Sequence, residues 1–149
     1  MTKFYSLTIA DIRTETDSAI CLSFNIPDEL KKTFTFTPGQ FLTLQASIDS
    51  EDIRRCYSIC SGIDDAQLSV AIKRVEEGVF SNFANDNFKV GDNIEVMAPQ
   101  GDFTLKSFDS QNSKNYMLLA AGSGITPILS LIKSIFSREP NSQITLVYG

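Results

Sequence analysis

The sequence predicts an all-β, six-stranded antiparallel closed barrel, followed by the first βαβ unit of an α/β domain. Three observations predict it. Short segments of period-two alternation recur between Phe4 and Ala98, separated by turn signals at regular spacing. After Phe103 the texture changes, and the polar text of Ser107 to Asn115 gives way to a near-continuous apolar run, Tyr116 to Ala121. A glycine turn, a helical repeat and a second apolar strand then follow in the order of a βαβ unit.

The elements can be justified in turn. Phe4 to Ile12 alternates Phe4, Ser6, Thr8 against Tyr5, Leu7, Ile9, and pairs with Ala19 to Ile26 across a turn at Thr14 to Ser18. Phe34-Thr35-Phe36 reads as short and extended, running into the turn signal Pro38-Gly39. Gln40 to Ile48 alternates Phe41, Thr43, Gln45 against Leu42, Leu44, Ala46, and an acidic loop, Asp49 to Asp52, follows. Ile53 to Ser61 and Gln67 to Val75 form a hairpin across the short turn Gly62 to Asp65. Gly78 to Ala84 reads as a brief helix with Phe80, Phe83 and Ala84 on one side. Val90 to Asp92 is a turn, and Asn93 to Ala98 a further strand. In the second region, Ile128, Leu131, Ile132, Ile135 and Phe136 repeat at helical spacing, and Ile144 to Tyr148 is the second strand. The apolar run at Tyr116 to Ala121 is expected to be buried on both faces. The boundary falls near Lys106 to Lys114, dividing the chain into 1–106 and 107–149. A single βαβ unit cannot cover both faces of a parallel sheet, so the second domain is expected to be incomplete.

Composition narrows the function. Thirteen basic against 18 acidic residues give a net charge of −5, which argues against a general nucleic-acid binder but not against a local anion site. Basic residues pair inside strand-like text only at Arg54-Arg55 and Lys73-Arg74. Lys31-Lys32 also pair, in a loop where solvation is the default. The chain has three cysteines and no histidine, with no CxxC spacing, so no metal site is expected. Buried thiols, the absence of a signal-peptide pattern and the absence of a long apolar run point to a cytoplasmic protein that spans no membrane.

Three constellations can carry chemistry. In Arg54-Arg55-Cys56-Tyr57-Ser58-Ile59-Cys60-Ser61, alternation sends Arg55, Tyr57 and Ile59 to one face and Arg54, Cys56, Ser58 and Cys60 to the other. A guanidinium, a flat ring and a nearby hydroxyl suit a ligand with a phosphate and an aromatic system, such as a flavin dinucleotide. A charge-guarded edge strand accounts for the stretch equally well. Strict alternation also puts Ser58 opposite Tyr57, so the two meet one ligand only if the strand twists or ends there. Gly78-Val79-Phe80-Ser81 opens a helix whose free N–H groups favour a phosphate, with a hydroxyl from Ser81. A capped helix with Phe80 in the core is the alternative. Gly122-Ser123-Gly124-Ile125-Thr126-Pro127 is a nucleotide-type turn without the third fingerprint glycine or a Walker lysine, or else a plain strand-to-helix connection.

The order of these motifs, with Pro99-x-Gly101-x-Phe103 between the last two, resembles the ferredoxin–NADP reductase superfamily. Arg54 to Cys60, Val96 to Gly101 and Ala120 to Pro127 carry a closer resemblance to the reductase components of oxygenase systems in phenylacetate and aromatic catabolism. The resemblance covers the whole chain. It implies a FAD-binding barrel and the start of an NAD(P)-binding domain, in a flavoprotein that passes electrons from NADPH or NADH through FAD. The acceptor implied is a [2Fe–2S] centre in the missing C-terminal part, then a ferredoxin-type or oxygenase partner.

By the same resemblance, Arg55 holds the FAD pyrophosphate, Tyr57 packs on the isoalloxazine, and Ile59, Cys60 and Ser61 follow alongside. Ser58 and Thr126 take the catalytic positions, Ser58 near the flavin N5 and Thr126 by flavin and nicotinamide. The Ile72-Lys73 backbone meets the flavin's pyrimidine edge, and Gly78, Val79, Phe80 and Ser81 close on the phosphates. Gly122, Ser123 and Gly124 leave room for the nicotinamide nucleotide. A non-redox barrel module binding a phosphorylated ligand or partner protein, and a flavin-holding protein without turnover, are the competing expectations.

Overall fold

A computed structural model describes residues 3–149. Strands β1 (Phe4–Thr16), β2 (Ala19–Asn25), β3 (Phe41–Ile48), β4 (Glu51–Ser58), β5 (Leu68–Lys73) and β6 (Asn93–Met97) make one antiparallel sheet in the order β4-β3-β6-β1-β2-β5. Its two edge strands meet where Ile59 bridges Val70 and the Cys60 amide donates to the Ser69 carbonyl at 2.9 Å. That seam closes the barrel. Helix α1 (Val79–Asn87) crosses from β5 to β6. Beyond a loop come β7 (Asn115–Ala120), α2 (Ile125–Arg138) and β8 (Gln143–Tyr148), with β7 and β8 parallel.

The alternation read from sequence sets the barrel interior. Leu7 and Ile9 of β1, Leu42 and Leu44 of β3, and Ile94 and Val96 of β6 are buried together, with Phe80 and Ala84 of α1 plugging the end. Each such side chain contributes about 1.5–3 kcal/mol by leaving water.

Local turn chemistry differs from the expectation at several places. The acidic loop is a two-residue hairpin turn: Ile48 faces Glu51, and Asp49 and Ser50 have φ of 51° and 67°. Positive φ at both positions matches the twist of the flanking strands, and Asp tolerates it. The turn at Thr14 to Ser18 shrinks likewise, since Thr16 already faces Ala19. Phe34 is not extended. It closes a helical turn, its amide donating to the Leu30 carbonyl at 3.0 Å, and its ring is buried. The expected hairpin of β4 with β5 is confined to its base, where Ile59 bridges Val70 and the barrel closes. β4 otherwise pairs with β3 along its length, and β5 pairs with β2 from Phe24–Leu68 to Ala19–Lys73.

β7 is half-buried on one face and open on the other. Met117 and Leu119 are 71% and 66% exposed, and Val147 of β8, opposite Leu119, is exposed with them, because α2 covers just the opposite face. Of the cysteines, Cys21 and Cys60 are buried as expected, but Cys56 is exposed on the outer face of β4.

The C-terminal cap of α2 holds a carboxylate that is fully buried, Glu139. Burial and the negative end of the helix both oppose its charge. Asn112 Nδ2 (2.6 Å), Tyr116 Oη (2.8 Å), Ser142 Oγ (2.9 Å) and the Asp109 amide (3.4 Å) all donate to it. These donors outweigh burial and hold the carboxyl at about 2, below the ordinary 4.5. A depressed carboxyl stabilises the fold above its ordinary value and loses that contribution as pH falls through the folded one. Acid titration followed by circular dichroism is therefore expected to loosen the βαβ unit between pH 4.5 and about 2. Glu139→Gln is expected to flatten that part of the curve. An unchanged acid limb in the variant would contradict the assignment.

Candidate functional site

The site is organised by β4, an edge strand of the sheet before closure. Directly opposed residues in an antiparallel pair share a face. Arg55 lies opposite Leu44 and Tyr57 opposite Leu42, both barrel-interior residues. Arg55 and Tyr57 thus occupy the inward-facing side of β4, where the alternation elsewhere places aliphatic side chains. Yet Arg55 is exposed and Tyr57 only half-buried. A cation and an aromatic ring thus stand partly uncovered on the core-facing side of the strand.

The Arg55 guanidinium makes one hydrogen bond, to the neighbouring Arg54 carbonyl at 2.7 Å, and pairs with no carboxylate among the described residues. Arg54 is otherwise occupied: it donates to Gln45 Oε1 at 2.7 Å and lies 4.8 Å over the Phe4 ring. It is a packed surface residue on the outer face, not a free charge. Burial pushes the Tyr57 hydroxyl up to about 12, against the pull of Arg55 in the other direction. The phenol stays neutral and can donate. Its ring rests on Phe80, centroids 5.8 Å apart, and Phe80 in turn meets Phe88 edge-on. Such aromatic contacts add about 0.5–1.5 kcal/mol each and fix the Tyr57 ring plane.

At Gly78 to Ser81 a buried aromatic side chain and an uncapped helix start occur together. The Phe80 side chain is core, while the backbone at Gly78 caps α1 without any side-chain hydrogen bond. The first-turn amides of Val79, Phe80 and Ser81 have no intrahelical acceptor, which makes an anion site. Gly78 is required here, because a Cβ would sit 2.5 Å from Ser81 Oγ and 3.0 Å from the Val75 carbonyl. Ser81 is buried and its hydroxyl accepts from the Val75 amide at 3.1 Å, folding the loop and leaving one proton to donate. Arg74, by contrast, is taken by Asp86 at 2.6 Å.

The strand ends at Ser58, opposite Phe41, and Ser58 is half-buried there. Ile59, Cys60 and Ser61, expected to follow along the ligand, continue from β4 into the barrel seam. The amides of Ile59 and Cys60 are used by the Gln40 and Ser69 carbonyls. Their side chains are buried, and Ser61 accepts the Ser69 amide on its hydroxyl at 3.0 Å. Cys60 Sγ lies 3.9 Å from Cys21 Sγ; that contact, then burial, pushes the Cys60 thiol up. The Ile72 side chain is core and its carbonyl accepts from Asn85, while Lys73 is exposed at the strand end.

The glycine turn is a separate cluster at the C-terminal end of β7. Gly122 has φ +52°, donates to the Gly149 carbonyl and accepts from the Tyr148 hydroxyl at 3.1 Å. Ser123 and Gly124 are exposed, and Thr126 Oγ1 donates to the Ser123 carbonyl at 3.0 Å. Among the described residues no hydrogen bond joins this cluster to β4 or α1. Two features escaped the sequence reading. One is the acid pair Asp64-Asp65; the other is the polar stripe Ser130, Ser134, Ser137 on an otherwise apolar helix, and its four- and three-residue spacing is the signal that would have revealed it.

A closed antiparallel barrel with an anion-binding helix start, joined to a βαβ unit with a glycine turn, defines a dinucleotide-handling protein. Residues 6–105 match the oxidoreductase FAD-binding domain family and residues 118–149 the oxidoreductase NAD-binding domain family. The chain belongs to the FAD-binding oxidoreductase family. It is 45% identical over its whole length to one of the subunits of 1,2-phenylacetyl-CoA epoxidase from Escherichia coli, spanning 42% of that protein. It is 40% identical, over 96% of its length, to the ferredoxin reductase component of 3-ketosteroid-9-alpha-monooxygenase from Rhodococcus rhodochrous, spanning 40% of it. Among solved structures, ferredoxin-NADP+ reductase from Plasmodium falciparum superposes with a TM-score of 0.78 at 27% identity, over 99% of this chain and 62% of that one. Phthalate dioxygenase reductase, described as transferring electrons from pyridine nucleotides to [2Fe-2S], gives 0.76 at 27% identity, over 97% and 43%. The chain thus spans roughly two fifths of these curated relatives.

FAD fits the residues present. The pieces that suit it are a guanidinium without a carboxylate partner among the described residues, a ring packed at a tilt on Phe80, and a helix start where only glycine fits. A [2Fe–2S] cluster has no such place here: among the described residues no three His, Cys, Asp or Glu cluster as a metal would need. No helix among them is long and apolar enough to cross a membrane.

Proposed function

We propose that the chain is the FAD-carrying, nicotinamide-facing part of an electron-transfer reductase. Electrons pass from NADPH or NADH to a [2Fe–2S] centre outside these residues and on to an oxygenase or ferredoxin-type partner. The setting is cytoplasmic phenylacetate or related aromatic catabolism. The observation that carries this is the placement of Arg55 and Tyr57 on the inner face of β4 beside the uncapped start of α1.

FAD, when bound, supplies hydride acceptance and one-electron release, so no side chain has to act as the redox group. The protein's part is binding and orientation. Arg55 and the amides of Val79, Phe80 and Ser81 hold the pyrophosphate. Tyr57, backed by Phe80, offers a ring face with a neutral donor hydroxyl. Ser58 sits at the strand end where a hydroxyl donor meets the reacting edge, and the Ile72-Lys73 strand end borders the flavin. Gly122, Ser123 and Gly124 admit the nicotinamide nucleotide, with Thr126 beside it. Residues 1–106 form the flavin domain and 107–149 begin the nucleotide domain. Identity of 45% to a component of the phenylacetyl-CoA epoxidase supports the choice of pathway.

The test is direct. Full-length protein should purify yellow or take up added FAD, and should oxidise NADPH or NADH with an artificial acceptor. A colourless protein that ignores FAD sinks the reading in favour of a non-redox module. Bound flavin without turnover means a storage protein.

A further inference from the structure

We propose that the segment Ser61–Asp65 clamps α2 and thereby sets where the glycine turn stands against β4. This makes Ser130, Ser134 and the Asp64–Arg138 pair positioning residues for hydride transfer. The proposal rests on the flavin reductase reading.

A continuous run of hydrogen bonds crosses between the two regions. The Ile63 amide donates to Ser134 Oγ at 3.0 Å, Ser134 Oγ donates to the Ser130 carbonyl at 2.7 Å, and Ser130 Oγ donates to the Ser61 carbonyl at 2.7 Å. Both helix serines are fully buried. Serine in mid-helix usually competes with helical hydrogen bonding, so two in register within an apolar helix need a partner outside it. Here the partner is the barrel. The approach is at backbone level, since a Cβ on Gly62 would lie 2.8 Å from Lys133 Cβ.

Charges then fix the register. Arg138 grips Asp64 with both Nε (2.7 Å) and Nη2 (2.5 Å), Ser137 Oγ donates to the same carboxylate at 2.6 Å, and Lys133 reaches Asp65 at 3.1 Å. These pairs are half-exposed, and exposed ion pairs contribute little each. Their value lies in the bidentate geometry, while the buried serines carry the rigidity.

The clamp lies between the two halves of the proposed site. Ser61 is three residues past Ser58 on the β4 side. On α2, Thr126, Ser130 and Ser134 recur every four residues and so share one face. The face that docks on the barrel is therefore the face that carries Thr126, about 6 Å further along the axis at 1.5 Å per residue. Rigid helix and tight strap leave Thr126 and the glycine turn little freedom relative to β4. The linker at 107–114, tied instead to Glu139, does not impose this.

The experiment uses full-length protein. Ser130→Ala with Ser134→Ala, and separately Arg138→Ala, should retain bound flavin. Hydride transfer at saturating nicotinamide nucleotide, read as flavin bleaching, should slow about tenfold, as small misplacements do. The long-wavelength charge-transfer band between reduced nucleotide and flavin should weaken. Swapping the ion pair, Asp64→Arg with Arg138→Asp, should restore both relative to Arg138→Ala. Parent rates and an unaltered band in the variants would overturn the proposal. Amide exchange at Ile63 gives a reading without flavin. It should speed about tenfold in Arg138→Ala, and unchanged exchange also overturns the clamp. Absence of flavin from the parent protein fails the reductase reading alone, and the Ile63 exchange then decides the clamp.

Discussion

Arg55→Ala is expected to weaken FAD binding by about ten- to a hundredfold, corresponding to about 1.5–3 kcal/mol for a lost charged hydrogen bond. Titration of full-length apoprotein with FAD measures it. The size follows from the surroundings: Arg55 is exposed on the face it shares with Tyr57, and among the described residues no carboxylate divides its charge. Loss of fold stability should be small, because the side chain is exposed and bonded only to a local carbonyl. Arg54→Ala is the internal control. Its guanidinium is spent on Gln45 and the Phe4 ring, so FAD affinity should stay within about twofold while stability falls by about 0.5–1 kcal/mol. Equal effects of the two substitutions on affinity would show that the pyrophosphate is not held at Arg55.

Gly39→Ala is expected to cost about 3 kcal/mol or more and to lower the melting temperature of the barrel correspondingly. Gly39 has φ +101°, and a Cβ there would stand 1.8 Å from the Phe103 carbonyl oxygen and 2.9 Å from its carbon. Both are backbone atoms and cannot swing aside. The strand leading into β3 and the segment after Gly101 would have to part, disturbing the Phe41–Gln100 bridge that braces the Ser58 end of β4. Gly91→Ala separates strain from collision. Its φ of +95° is as unfavourable, but nothing lies within 4 Å of the added Cβ, so only about 1–2 kcal/mol is expected. Thermal unfolding of both variants measures the difference, and equal losses would contradict the close approach at Gly39.

The contrast between these glycines marks the limit of what a sequence discloses. Pro38-Gly39 and Val90-Gly91 both read as turns, and both are turns. That one of them lies under the backbone of residue 103 depends on a contact 64 residues away along the chain, and no local pattern encodes it. The same holds for β4 and β5. Their alternation located the strands to within a few residues, but the hairpin inferred from a short connection stops at the Ile59–Val70 bridge, because β5 satisfies its ladder on β2 and β4 on β3. The site was partly legible for a related reason. Arg55 and Tyr57 stood out as polar and aromatic groups on the face of a strand that should be aliphatic, and the register of β4 on β3 puts them on that face. Ile59, Cys60 and Ser61 continue the same text, yet they belong to the barrel seam and the strap to α2.

The sequence by itself determined most of the strands, the βαβ unit, the sharing of one face by Arg55 and Tyr57 and the glycine that opens the helix at Gly78. Each of these follows from periodicity or from the geometry of a few adjacent residues. Only the tertiary structure decided strand order, barrel closure, the ending of β4 at Ser58 and the docking of α2 on Ser61–Asp65. Those are set by which hydrogen-bonding groups and small side chains meet across long stretches of chain, and such meetings are a property of the packed whole.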